Sequence, residues 1–187
     1  MRAGSRLSQL RFRRGSPRYS DAETKRLHEE TGLVNGAANI NQGLGVSIDL
    51  RGDAQTGLVG YRGKRHAGLI DVDQKGALQV SQYWEPIYHD DTNEIILDPD
   101  EFYILASREA VTIPASHAAE MVPFNPLVGD FRVHYAGFFD PGFGMNEAGG
   151  AGSRAVLEVR SREVPFILEH GQILSLIHIS EPTRQSL

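Results

Sequence analysis

The most informative absence in this chain of 187 residues is cysteine, which does not occur at all. Without a thiol the chain cannot form a disulfide, use a thiolate nucleophile or bind zinc through cysteine. A composition without disulfides is typical of reducing compartments, so we expect a cytoplasmic protein.

Long apolar runs and a surplus of positive charge are also missing. No stretch reaches the roughly 20 apolar residues of a membrane span, and the first residues do not resemble a secretion signal. The formal net charge is −5, which argues against a general nucleic-acid-binding surface. We therefore expect neither a membrane nor nucleic acid among the partners.

Glycine and proline, by contrast, are frequent: 20 glycines and 9 prolines separate short apolar runs. This pattern predicts strands joined by turns, and hence an all-β fold. One short N-terminal linker helix is predicted, from the capping box of Ser20 and Glu23 to about Thr31. Further strands are predicted at 46–51, 56–62, 69–72 and 77–81, together with a hairpin formed by 102–107 and 110–114.

The chain is organised around the stretch 135–144 and a second stretch at 154–161. The first is an apolar run broken by Asp140, Pro141 and Gly142, which predicts a strand that enters a tight turn because proline presets φ and glycine tolerates positive φ. The second alternates between apolar and mixed positions, which predicts a strand with one buried face.

Glu158 lies on the mixed face of the second stretch, with Val156 and Arg160, opposite Ala155, Leu157 and Val159. A carboxylate in this position is either an ordinary solvent-facing side chain or the polar group of a pocket. Spacing alone favours the solvent-facing alternative.

The motifs together favour the pocket. Four features follow one another along the chain: a small residue followed by F-F-D-P-G-F at 138–143, L-E-V at 157–159, V-P-F-I at 164–167, and Gly171. Together they resemble the core of the dCTP deaminase family. The resemblance covers roughly residues 43–173. That family shares its fold with the trimeric dUTP diphosphatases, so the resemblance implies a distorted β-barrel of the dUTP diphosphatase type. It also implies hydrolysis of dCTP to dUTP and ammonia by a trimer-type homo-oligomer, with Mg²⁺ carried by the triphosphate.

The same resemblance implies roles for four residues. Glu158 matches the acid/base that shuttles the proton in the family, and the backbone carbonyl of Ala136 matches the group that helps to hold the attacking water. Asp140 matches the residue that shapes the cytosine pocket. Phe138 stands at a substrate-binding position where some relatives have arginine.

A zinc-dependent deaminase is the other known solution, and it needs His-x-Glu together with Pro-Cys-x-x-Cys. His28, Glu29 and Glu30 satisfy the first half. Since the chain has no cysteine, the second half fails and we expect no zinc. The dCTP deaminase family works without zinc, which agrees with this expectation.

One departure from the family concerns the triphosphate. Single-repeat deaminases carry Arg-Ser-Ser and a further arginine before the site, whereas this chain has Val122, Pro123, Phe124 and then Leu127. The alternatives therefore stay open: a deaminase, a catalytically silent scaffold repeat of such an enzyme, or a dUTP diphosphatase.

The layout resembles the two-repeat form of the deaminase, so we expect a fragment that covers the second repeat. Residues 1–15 are interpreted as the last strand of a truncated first repeat, 16–45 as a helix and linker, and 46–173 as the deaminase-like barrel. Residues 174–187 resemble a translated sequencing-library adapter and are interpreted as a non-native tail. Asp49, in the family-like S-x-D-L-R segment, is expected to pair with an arginine as a structural device rather than to act in catalysis.

Overall fold

The computed structural model describes residues 18–124, 131–134, 137–145, 152–161 and 163–181, with the backbone alone at 131–134. Two short helices and eleven strands lie in these ranges. They are α1 (Asp21–Thr31), β1 (Leu44–Ser47), β2 (Leu58–Gly63), α2 (Val80–Tyr83), β3 (Trp84–Tyr88), β4 (Glu94–Leu97), β5 (Tyr103–Val111), β6 (Ala118–Pro123), β7 (Phe131–His134), β8 (Gly137–Phe139), β9 (Ser153–Ser161), β10 (Phe166–Glu169) and β11 (Ile173–Ser180).

The strands form three antiparallel sheets. Their orders are β3-β2-β5-β9-β7, β1-β11-β6-β8 and β10-β4. Leu105 and Leu157 of the five-stranded sheet and Val46 and Ile177 of the four-stranded sheet belong to one hydrophobic core. The predicted all-β fold is confirmed.

The linker helix α1 is also confirmed, with the capping box that the sequence predicts. The Ser20 backbone N–H donates to the Glu23 carboxylate at 2.7 Å, and the Glu23 N–H donates back to Ser20 Oγ at 3.3 Å. At the other end Gly32 takes a left-handed conformation, and His28 Nδ1 accepts a hydrogen bond from the Leu33 N–H at 3.2 Å. The histidine of the His-x-Glu match therefore helps to end a helix.

The predicted hairpin at 102–114 is wrong, because β5 runs straight through it as one strand with a bulge between Ala106 and Ala110. The residues predicted as a turn form the bulge instead. Ser107 Oγ donates to the carbonyl of Glu109 at 2.6 Å, and the Arg154 Nε–H donates to the carbonyl of Ser107 at 2.6 Å. A side chain from β9 thus satisfies a backbone group that the bulge leaves without a ladder partner.

The strands predicted at 69–72 and 77–81 are wrong as well. Leu69 is 98% exposed and Val72 is 78% exposed, and the second segment overlaps α2. The Asp71 carboxylate accepts hydrogen bonds from the Asp73 N–H and the Gln74 side chain. Such local side-chain bonds compete with pairing in a sheet and favour a turn.

The strand β11 crosses the boundary that the sequence places at residue 174. It pairs with β1 on one side and β6 on the other, and Leu174, Ser175 and Ile177 are buried. A segment that is not native can also pair as a strand if its sequence suits the sheet. The adapter interpretation of 174–187 therefore stays a prediction. The strand proposed for 1–15 lies outside the described residues.

Candidate active site

The strand β9 presents Glu158 on the face that turns away from the core. Ala155, Leu157 and Val159 are buried, whereas Val156 is 60% exposed and Glu158 is half-buried. The predicted alternation of this strand is confirmed. Its consequence is a carboxylate on the outer face of the five-stranded sheet.

Glu158 occupies the middle of a row that crosses this sheet. Ile104 on β5 lies directly opposite on one side, and His134 on β7 holds the matching register position on the other. Tyr61 on β2 continues the row beyond Ile104. Within the part of the chain that the structure describes, no hydrogen bond or ion pair engages the Glu158 carboxylate, so this carboxylate can bind a ligand without first breaking a protein contact.

The Asp-Pro-Gly turn forms as the sequence predicts. Gly142 has φ +89°, and the Phe143 N–H donates to the carbonyl of Asp140 at 3.1 Å. The turn is tied to the chain after β5, since Gly142 N–H donates to Ile113 and Ile113 N–H donates to Phe143. Phe143 also packs edge-to-face on Phe139, with 4.8 Å between the ring centroids. The turn is therefore anchored on both of its sides.

Two more of the predicted site residues, Phe138 and Asp140, lie just before and at the start of this turn. Phe138 is 52% exposed on β8, and Asp140 is exposed where the turn begins. Ala136 lies outside the described residues. The turn meets the start of β9, where the Gly152 N–H donates to the carbonyl of Gly144 at 3.0 Å.

Glu158 stands five residues beyond Ser153, about 17 Å along the strand. No hydrogen bond or ion pair between described residues joins Glu158 to Phe138 or Asp140. The strand β9 is thus the element that connects the two halves of the predicted site.

A polar network fixes the start of β9. Arg154 Nη2 forms a 2.6 Å ion pair with Asp49, whose side chain is 15% exposed. The predicted pairing of Asp49 with an arginine is confirmed. Beside it His170 Nδ1 accepts a hydrogen bond from the Leu50 N–H at 3.1 Å. Burial, and then the nearby charge of Arg51, lower the pKa of His170 below its ordinary value, so the neutral ring that accepts this bond is favoured.

An aromatic and cationic cluster on β9 and its neighbours escaped the sequence analysis as a unit. The Arg160 guanidinium carbon lies 5.7 Å from the centroid of the Phe102 ring, and Phe102 packs on Trp84 with 5.9 Å between centroids. Trp84 therefore packs against a neighbouring ring and does not stand alone on the surface. The sequence offers one signal for the place of Arg160 in this cluster, namely its spacing two residues after Glu158 on the same face of the strand.

A pocket of about 420 Å³ lies elsewhere, between β2, β3, β4 and the segment that follows β1. Buried Leu50 and Val59 line it, together with exposed Tyr88, His89 and Asp90. Glu158 does not line it. This pocket is therefore separate from the carboxylate that the sequence singles out.

Two searches of the described residues gave negative results. They contain no group of three or more histidine, aspartate or glutamate side chains arranged to hold a metal ion. Nor do they include a helix whose length and apolar character would let it cross a membrane.

Comparisons with known proteins agree with the geometry. The family profile of the 2'-deoxycytidine 5'-triphosphate deaminase C-terminal domain matches residues 20–186. The crystal structure of 2'-deoxycytidine 5'-triphosphate deaminase from Agrobacterium tumefaciens is similar, with 57% sequence identity and a TM-score of 0.83. The match covers 89% of this chain and 50% of that one, so this chain spans about half the length of its relative. No curated protein matches the chain.

The outer-face carboxylate of β9, the Asp-Pro-Gly turn and the family match over most of the chain lead to one conclusion: this protein belongs to the 2'-deoxycytidine 5'-triphosphate deaminase family, to whose C-terminal domain it corresponds.

Proposed function

We propose that this domain takes part in the zinc-independent hydrolysis of dCTP to dUTP and ammonia, with Glu158 as the acid/base. The observation that carries the proposal is the half-buried carboxylate of Glu158 on the outer face of β9. This carboxylate makes no hydrogen bond or ion pair with any described residue. A general base needs such a free oxygen within reach of the proton that it removes.

The reaction divides into two proton relays through one carboxylate. In the first, Glu158 takes a proton from the attacking water while the water oxygen bonds to C4 of cytosine and the C4=N3 electron pair moves onto N3, and Glu158 passes that proton to N3. In the second, Glu158 takes the remaining proton from the C4 hydroxyl and donates it to the exocyclic nitrogen, so that the C4–N bond breaks, ammonia leaves and the C4 carbonyl of uracil forms with N3 protonated. One water is consumed for each ammonia released, and the carboxylate returns to its starting state.

The other predicted residues keep the roles that the family resemblance implies. The Ala136 carbonyl would orient the water, Asp140 would shape the cytosine pocket, and Phe138 would contact the substrate. The 52% exposure of Phe138 supports that last role, because about half of the residue is accessible to a ligand.

We further propose that a complete site needs more than this chain. The match covers only 50% of the relative, and Val122, Pro123 and Phe124 stand where single-repeat deaminases have Arg-Ser-Ser. Their side chains carry no hydroxyl or guanidinium group that can bind a phosphate. We expect the partner half of a two-repeat protein, or neighbouring copies in a trimer-type homo-oligomer, to supply those groups.

This proposal has consequences for partners and location. Magnesium takes part only as the counter-ion of the triphosphate. We propose a cytoplasmic enzyme that binds neither nucleic acid nor membranes.

The presence of Val122, Pro123 and Phe124 in place of Arg-Ser-Ser favours a second candidate, a catalytically silent scaffold repeat. A repeat without phosphate-binding side chains would support a partner repeat and perform no chemistry itself. A Glu158→Gln variant of the two-repeat protein separates the two candidates, since it should lose ammonia release if Glu158 is the acid/base and keep it if the repeat is a scaffold.

Glu29→Gln on the exposed face of α1 is the matched control. A parallel assay for pyrophosphate with dUTP as substrate identifies a dUTP diphosphatase. The isolated chain should release little ammonia from dCTP. Turnover by the isolated chain equal to that of the two-repeat protein would contradict the incomplete site.

A further inference from the structure

Two arginines occupy neighbouring positions beside Glu158. The register of β7 and β9 places Arg132 directly across from Arg160. Like charges that face each other across antiparallel strands destabilise a sheet. An anion bound beside these two register positions would offset that repulsion.

The Arg160 side chain is held from one side by aromatic rings. Its guanidinium lies over Phe102, which in turn packs on Trp84. A Cβ atom at Gly63 would lie 3.7 Å from the Trp84 ring and 3.7 Å from the Cβ of Phe102. A ring face attracts the cation but accepts none of its directional N–H bonds.

Among the described residues, none accepts a hydrogen bond from the Arg160 guanidinium. Its Nε is buried and has no hydrogen-bond partner in the described structure. The ion pairs between described residues do not include Arg160 either. A buried guanidinium donor without an acceptor costs free energy, and this cost is removed when a ligand supplies the acceptor.

We propose that Arg160, together with Arg132, binds the triphosphate of the nucleotide whose base lies at Glu158. The proposal rests on the proposed function and adds phosphate contacts from this chain to those that the partner half or neighbouring copies supply in place of Arg-Ser-Ser. A guanidinium is suited to this role because its planar fork binds two phosphate oxygens at once. Glu158 and Arg160 are about 7 Å apart along the strand, so one nucleotide can reach both.

The test is the binding of inorganic tripolyphosphate to the purified chain, measured by isothermal titration calorimetry. Arg160→Gln should weaken binding by about tenfold or more, since it removes a charge-assisted contact. Arg132→Gln should weaken it as well. Arg26→Gln is the matched control, because that arginine is 69% exposed on α1 and its loss removes the same charge.

Three results would overturn the inference. They are unchanged affinity in Arg160→Gln, no binding by the wild-type chain, or an altered oligomeric state in Arg160→Gln with tripolyphosphate binding intact. If Arg160→Gln does not fold, Arg160→Lys replaces it. Lysine keeps the charge but loses the fork, so a folded lysine variant should also bind more weakly, and equal affinity would contradict the proposal.

Failure of this inference can be told apart from failure of the proposed function. Tripolyphosphate has no base, so its binding does not depend on deamination. Arginine-dependent binding without any ammonia release from dCTP by the two-repeat protein would remove only the proposed function. Ammonia release with an unchanged KM for dCTP in Arg160→Gln would remove only the inference.

Discussion

Asp49 and Arg154 lie 105 residues apart in the sequence and form a 2.6 Å ion pair at the start of the strand that carries Glu158. Arg154 also donates to the carbonyl of Ser107 in the β5 bulge. One side chain thus connects β9, the bulge and the segment after β1. We expect this contact to help the ladders with β5 and β7 hold β9, and with it Glu158, in position.

Replacing Asp49 with alanine should destabilise the fold by about 1–3 kcal/mol, because the partly buried Arg154 guanidinium loses its charged partner. The value is smaller than for a fully buried pair, since the Arg154 side chain is 37% exposed and is partly screened by water. Urea denaturation of the wild-type chain and Asp49→Ala measures the change. A loss below about 0.5 kcal/mol, typical of exposed ion pairs, would mean that the pair does not hold β9.

Acid should destabilise the protein through His170. Burial, followed by the charge of Arg51, holds the His170 pKa below its ordinary value of 6.5, although the Asp49 carboxylate acts in the opposite direction. The unfolded chain therefore binds this proton more readily than the folded chain. The contribution to stability is complete above about pH 6.5 and is lost as the pH falls below that value.

Melting temperatures measured between about pH 7.5 and pH 5.5 test this expectation. The wild-type Tm should fall on acidification, and His170→Asn should reduce the slope. The pKa of His117 is also lowered by burial, so part of the slope should remain in the variant. An identical slope in both proteins would exclude His170 as a source.

Two glycines around the Asp-Pro-Gly turn should respond differently to alanine. Gly142 and Gly144 both have positive φ, at +89° and +71°. A Cβ at Gly142 meets open space, whereas one at Gly144 would overlap the carbonyl oxygen of Val111. Gly142→Ala should cost about 1–2 kcal/mol from left-handed strain alone.

Gly144→Ala should cost a further 1–3 kcal/mol, roughly, because the backbone must also move to relieve the overlap. Chemical denaturation of the two variants side by side gives the comparison. Equal losses would show that the turn is free to shift away from Val111.

The features that the sequence predicts correctly are those set by neighbouring residues. The capping box of α1 depends on Ser20 and Glu23, and the faces of β9 depend on the alternation around Leu157. The Asp-Pro-Gly turn is equally local. Each of these patterns acts within a few residues, so reading the chain in order is sufficient.

The features that the sequence misses depend on distant contacts. The bulge in β5 is stabilised by Arg154, which lies 47 residues further along the chain and donates to the carbonyl of Ser107. The sequence around Ser107 and Glu109 does not show this contact, so it predicts a turn there. The exposed segment around Leu69 has strand-like composition but pairs with none of the strands that the structure describes. The contact of Arg160 with Phe102 likewise follows from sheet packing, which spacing along one strand does not reveal.

The measurement that tests the central claim most directly is ammonia release from dCTP by the two-repeat protein that carries this domain, compared with its Glu158→Gln variant. A carboxylate that shuttles the proton predicts a loss of about a hundredfold or more in kcat, with dCTP binding and the melting temperature retained. Unchanged turnover in a folded Glu158→Gln protein would contradict the account and leave Glu158 as an ordinary surface residue of β9.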